Sequence, residues 1–132
     1  AKLIEELKKE HAAILENLDK AYKLGITRDG QSILMSAKTG LLAHLKKEDS
    51  ELYPVLRKAA ESDGALKQTL DTFAKDMETT SKDVLAFFGK YTQGQGAGMD
   101  FAKDFGRLFV TLKTRIQKEE RILYTRYEQL GR

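Results

Sequence analysis

The chain of 132 residues has no Cys and no Trp, a single Pro and only two His. Without cysteine there is no disulfide, thiolate zinc site, iron–sulfur cluster or thiol nucleophile. Imidazoles, carboxylates and other oxygen donors are the strong metal ligands left. An excess of one charge is lacking too: 23 Lys and Arg against 20 Asp and Glu leave +3, with the two signs interleaved along the chain. Such a surface offers nucleic acid no basic face. No apolar run approaches the roughly 20 residues of a membrane span and no signal-peptide pattern is present, so a cytoplasmic location away from membranes is expected. The length fits one domain, residues 1–132, able to bury about two-thirds of its unfolded surface without staples.

What the chain does have is helical period. Turn-forming residues cluster in three places, 25–30, 61–64 and 92–98, and separate four long segments with apolar positions every three or four residues. The first stripe is Leu3, Leu7, His11, Ile14, Leu18, Tyr22, ended by Gly25. The second is Ile33, Ala37, Leu41, His44, Glu48, Leu52, Val55, with Gly40 inside it and Pro54 expected to remove a backbone hydrogen bond and kink the last turns. The third is Leu66, Leu70, Phe73, Met77, Thr80, Val84, Phe87, Tyr91. The fourth is Phe101, Phe105, Leu108, Leu112, Arg115, Glu119, Ile122, widened by Ile116, Leu123, Tyr127 and Leu130. Gly94, Gly96 and Gly98 superficially suggest a phosphate loop, but no strand precedes them and no Lys-Ser/Thr follows, so a flexible loop is expected. No segment alternates like a strand. The fold class is therefore all-α, an up-down-up-down antiparallel four-helix bundle.

Each stripe is interrupted by polar residues, and a polar side chain at a core position must be paired, neutralised or bound. His11, His44, Glu48, Arg115 and Glu119 all fall near the middles of their segments, which meet at one height in an antiparallel bundle. The string from His44 to Pro54 also recurs 71 positions later from Arg115 to Thr125, matching Lys47/Lys118, Glu48/Glu119, Leu52/Leu123 and Tyr53/Tyr124, with Asp49/Glu120 similar. A weaker offset of 66 sets Met77 against His11. The chain reads as two related helical hairpins. Tyr53 and Tyr124 are expected to pack at one end of the bundle, with a hydrogen bond open to each hydroxyl, and runs such as Lys8-Lys9-Glu10 and Lys46-Lys47 to be solvated faces. His44 and Glu48, four apart on one helix face, can reach a common cation, and His11 and Glu119 complete a nitrogen–oxygen set suited to iron, manganese or zinc. The residues alone leave two readings open: a cation site, or a metal-free polar layer in which the Arg115 fork pairs both Glu48 and Glu119.

His11, the string HLKKEDSELYP at 44–54 and the string RIQKEERILY at 115–124 resemble the hemerythrin-like, or HHE cation-binding, family over nearly the whole chain. The resemblance implies a four-helix bundle built for a carboxylate-bridged di-iron centre that binds dioxygen or senses oxygen, nitric oxide, redox state or iron. It makes His11 and His44 terminal ligands of one iron and Glu48 and Glu119 the bridging carboxylates. The imidazoles of the other iron are replaced by Phe73, Met77 and Arg115, none of them a ligand for a hard cation. The expectation is a cation-binding protein with at most one metal, iron in the first instance, perturbed by a small gas ligand and acting in metal, oxygen or redox sensing. The alternative is a metal-free helical interaction or signalling module. Dioxygen carriage would require two adjacent irons. No catalytic constellation stands out, so an enzyme is not expected.

Overall fold

The computed structural model describes residues 1–25, 27–91 and 98–131. Four rods fill these segments: α1 (Lys2–Leu24); α2 (Arg28–Lys47), continued by a π turn at Glu48–Leu52 and by α3 (Tyr53–Ala60); α4 (Gly64–Tyr91); and α5 (Gly98–Lys118), continued by a second π turn at Glu119–Leu123 and by α6 (Tyr124–Gln129). There is no strand among the described residues. The loop expected over 92–98 lies almost wholly outside them.

The rods pack as an antiparallel four-helix bundle, and side-chain partners give the direction. Glu6, Glu10 and Ile14 on α1 meet Lys47, His44 and Gly40 on α2, in reverse order. Tyr91 and Phe73 on α4 likewise meet Asp104 and Arg115 on α5. Local chemistry sets the helix starts. The Thr27 hydroxyl accepts from Gly30 N at 3.0 Å to cap α2, and the Asp63 carboxylate accepts from Leu66 N at 3.1 Å to cap α4 while also pairing with Arg126.

Two apolar clusters form, one toward each end. One joins Leu18, Leu34, Phe88, Tyr91, Phe105 and Leu112 with their neighbours; the other joins Leu7, Leu52, Leu56, Phe73, Leu123 and Tyr127 with theirs. Between them lie the buried polar residues His11, His44, Glu48, Arg115 and Glu119, the five that interrupt the sequence stripes.

The stripes themselves need correction at their ends. Ile4 and Ala21 occupy the core positions expected for Leu3 and Tyr22, and Leu34 that of Ile33; Tyr22 and Leu130 are more than two-fifths exposed. A walk that steps mostly by four exceeds 3.6 residues per turn and slides around the helix. In the second and fourth rods the cause is local. The N–H groups of Tyr53 and Tyr124 bond the carbonyls of Glu48 and Glu119, five residues back, so one residue is inserted and the buried stripe moves from Val55 to Leu56 and from Ile122 to Leu123. Pro54 is not the origin of this irregularity, because the same turn forms where Thr125 stands in its place. It sits instead in the first turn of α3, where a missing N–H is best tolerated.

The α1–α2 connection depends on two glycines. Gly25 has φ 66° and ψ −152°, a conformation essentially restricted to glycine. At Gly30 a Cβ would stand 2.1 Å from the Gly25 carbonyl oxygen, which is backbone and cannot rotate aside. Gly30→Ala should therefore destabilise the bundle by about 1–3 kcal/mol and lower Tm by several degrees. A thermal melt unchanged to within a degree would show that this turn relaxes freely.

Candidate metal centre

His11 projects from α1, His44 from the last turn of α2, and Glu48 and Glu119 from the first residues of the two π turns. One ligand atom from each of the four lies within 4.8 Å of all the others, and all four residues are buried. Among the described residues no other group of His, Asp and Glu meets this condition. His44 Nε2 and Glu48 Oε1 are 3.5 Å apart without forming a hydrogen bond. Two donors on one cation, at bonds of about 2.0–2.2 Å, stand roughly 3.0–3.5 Å apart. His44 Nε2, Glu48 Oε1 and Glu119 Oε2 all lack a hydrogen-bond partner. Such orphans are rare in a protein interior and each calls for an absent partner. The set fits a cation.

The other side of each imidazole is fixed. His44 Nδ1 is 2.8 Å from Glu10 on α1, and His11 Nδ1 is 2.9 Å from Glu120 on the second π turn. A carboxylate only accepts, so Nδ1 carries a proton, and when the ring is neutral its Nε2 lone pair is left toward the cluster. Lys47 in turn holds Glu10 at 3.0 Å and Glu6 at 2.8 Å. The Tyr124 hydroxyl donates to Glu48 Oε2 at 2.7 Å and lies 3.2 Å from His11 Nε2, its ring stacked on His11 at 5.5 Å.

These supports correct the sequence reading. Glu10 and Lys47 are not simply solvated, while Tyr124 packs with Tyr53 in one end cluster, as expected, and its hydroxyl reaches the polar layer. Glu10 and Glu120 escaped notice because they lie just off the stripe. The available signal was adjacency: each directly neighbours a site residue in sequence, 100° around the helix, and reaches an imidazole on the next rod.

Arg115 also departs from expectation. It is only 7% exposed but forms no ion pair with Glu48 or Glu119. Its Nη2 donates to the Phe73 carbonyl at 3.0 Å, Nη1 lies 3.6 Å from Asp76, and the guanidinium sits over the Phe73 ring at 5.1 Å. α4 claims the fork, and the two carboxylates remain without it.

Electrostatics follow from this layout. Burial, reinforced by the charge of Glu48, raises Glu119 well above the ordinary carboxyl range. Burial would raise Glu48 as well, but the neighbouring His44 and Glu119 side chains and the hydrogen bond from Tyr124 outweigh it and hold Glu48 low. Burial and the neighbouring His44 depress His11. Burial alone would depress His44, yet its contacts with Glu48 and Glu10 raise it. Of the two carboxyls, Glu119 is thus the one whose surroundings favour the protonated form.

A raised folded-state pKa stabilises the fold below the unfolded value of about 4.5, and that contribution is lost as pH rises toward the folded value. Glu119→Gln removes this titration and keeps the shape. In chelator at pH 8 it should melt higher than the unsubstituted protein, with the advantage fading toward pH 4, while losing affinity for divalent cations. A variant that melts lower at pH 8 would show that Glu119 is not strained by burial.

The model of the hemerythrin HHE cation-binding domain matches residues 2–127. No curated protein and no solved structure gives a match. The match covers nearly the whole chain, and together with the helical bundle and the buried His/Glu cluster it shows that the chain belongs to the hemerythrin HHE cation-binding domain family.

Proposed function

We propose that the chain binds a single divalent first-row cation, iron in keeping with its family, through His11, His44, Glu48 and Glu119, and uses it to sense metal, oxygen or redox state rather than to turn over a substrate. The observation that carries this reading is the convergence of three unpartnered buried atoms, His44 Nε2, Glu48 Oε1 and Glu119 Oε2, on imidazoles whose other nitrogens are already anchored. Two imidazoles and two carboxylates form a mixed nitrogen–oxygen set suited to iron, manganese or zinc. Bound iron would supply a one-electron redox change and a position for a small gas. The chain's own residues orient the rings through Glu10 and Glu120, hold Glu48 through Tyr124, and keep bulk water out with the apolar clusters on either side.

One metal rather than two is favoured by what stands at the remaining family positions. Phe73 belongs to an apolar cluster, Met77 is half-buried, and Arg115 is a permanent cation turned to α4. Arg115 also does not replace a metal charge between the carboxylates, which counts against the metal-free module.

Metal analysis of protein purified without chelator or nickel resin, followed by titration with iron(II) under anaerobic conditions, should give close to one metal per chain. His44→Ala should abolish binding. Glu10→Gln and Glu120→Gln should each weaken it about 10–100-fold through loss of imidazole orientation. Folding and melting indifferent to added metal, with no metal retained, would overturn the reading, as would a stoichiometry of two.

A further inference from the structure

Five buried polar side-chain atoms among the described residues lack a hydrogen-bond partner: His44 Nε2, Glu48 Oε1, Glu119 Oε2, Tyr53 Oη and Arg115 Nε. A cation on His44, Glu48 and Glu119 leaves the Tyr53 hydroxyl unexplained. Tyr53 is only 7% exposed and packs in one apolar cluster with Leu52, Leu56 and Tyr124. A hydroxyl without a partner in such a place costs stability, and phenylalanine would fill the same space without that cost. The hydroxyl therefore calls for a use.

The internal repeat points to its partner. Both π turns open on a glutamate and hand the chain to a buried tyrosine, Glu48 to Tyr53 on the second rod and Glu119 to Tyr124 on the fourth. Between the rods, the Tyr124 hydroxyl donates to Glu48 Oε2 at 2.7 Å. Exchanging the two halves turns this bond into one from Tyr53 to Glu119 Oε2, and both of those atoms stand unpartnered. The halves differ in what surrounds the tyrosine. Tyr124 stacks on His11 at 5.5 Å, with its hydroxyl 3.2 Å from His11 Nε2. In the other half Met77 stands at the position of His11, and a thioether is a poor anchor for a hydroxyl. Burial and the negative charge of Glu119, felt ahead of that of Glu48, raise the Tyr53 hydroxyl and keep it a donor.

We propose that Tyr53 is a positioning residue of the cation site: with a cation bound, its hydroxyl donates to the Glu119 carboxylate, the counterpart in the second half of the bond that Tyr124 already makes to Glu48. The inference rests on the cation site proposed above. A carboxylate oxygen has two lone pairs, so Glu119 can face a cation with one and accept from Tyr53 with the other. A coordinated carboxylate is ionised, and a hydrogen bond to an ionised acceptor is the stronger kind. A bond made only in the loaded chain tightens cation binding. The same hydroxyl lowers stability when no cation is present.

The test compares the full chain with Tyr53→Phe and Tyr124→Phe, each melted in chelator and titrated with cobalt(II), whose visible bands report its surroundings. In chelator Tyr53→Phe should melt at or above the unsubstituted protein, because it removes only an unpartnered hydroxyl, yet it should bind cobalt about tenfold more weakly and shift the visible bands. Tyr124→Phe should lose in both measurements, because its bond to Glu48 is made without a cation. A residue that only fills the core would move the melt and leave the affinity. If Tyr53→Phe melts lower in chelator, fails to fold or keeps full cobalt affinity, this inference is overturned and the cation site stands. Failure of cobalt and iron to bind the unsubstituted chain at all overturns both.

Discussion

The structure turns on the burial of two carboxylates, Glu48 at 1% and Glu119 at 2% exposure, between two apolar clusters. A lone carboxylate in such a place would be expelled or neutralised. Here the two receive different treatment. Glu48 is supported by His44 and by the Tyr124 hydroxyl, while Glu119 forms no ion pair among the described residues and is raised by burial and by the charge of Glu48, with Arg115 only partly offsetting them. The packed clusters above and below make this tolerable. Each joins residues from all four rods, so the bundle is held at both ends while its middle carries atoms whose hydrogen-bonding capacity is unused, at roughly 1–3 kcal/mol each.

The π turns give the carboxylates their place. Both begin at the glutamate itself, and both end by handing the chain to a tyrosine that stays buried. Glu48 and Leu52, four apart, both face inward, and the inserted residue re-aims the stripe toward Leu56, so the same rod presents a polar layer and, one turn later, an apolar core. On the fourth rod the core position that follows is Leu123, with Ile122 at its edge. π turns of this kind concentrate at functional sites because they cost helix stability and persist only where the displaced register is used.

That register shift marks the limit of what could be read from the sequence. The four rods, their order and the five polar interruptions were legible, because burial imposes a 3.6-residue period and any polar residue on it stands out. The repeat placed Glu48 opposite Glu119, and the structure shows why: both halves make the same turn. The turn itself was not legible, since an added backbone residue leaves no side-chain signature beyond two successive four-residue steps, and Pro54 drew the irregularity toward itself. Glu10 and Glu120 were hidden for another reason. A residue that supports a ligand from the edge of a stripe has the composition of a solvated face, and only the partner across the helix boundary distinguishes it. Arg115 was located correctly and its partners were not, because sequence spacing fixes a position on a helix but not which way a long side chain turns.

Protons and a cation compete for the same atoms in this layer, and the arrangement decides which are displaced. Cation binding requires lone pairs on both Nε2 atoms and ionised carboxylates. Glu48 is held low, which favours its ionised form, and His11, depressed by burial and by His44, favours its neutral form. The two groups that must give up protons are Glu119, raised by burial beside Glu48, and His44, raised by Glu48 and Glu10. They lie on opposite rods, and each is raised by the same carboxylate, Glu48. Burial remains the larger cause at Glu119, but a divalent cation set against Glu48 would neutralise the negative charge that favours protonation of both Glu119 and His44, at the point where their lone pairs are needed. Glu48 is thus the residue through which the charges of the other donors are coupled.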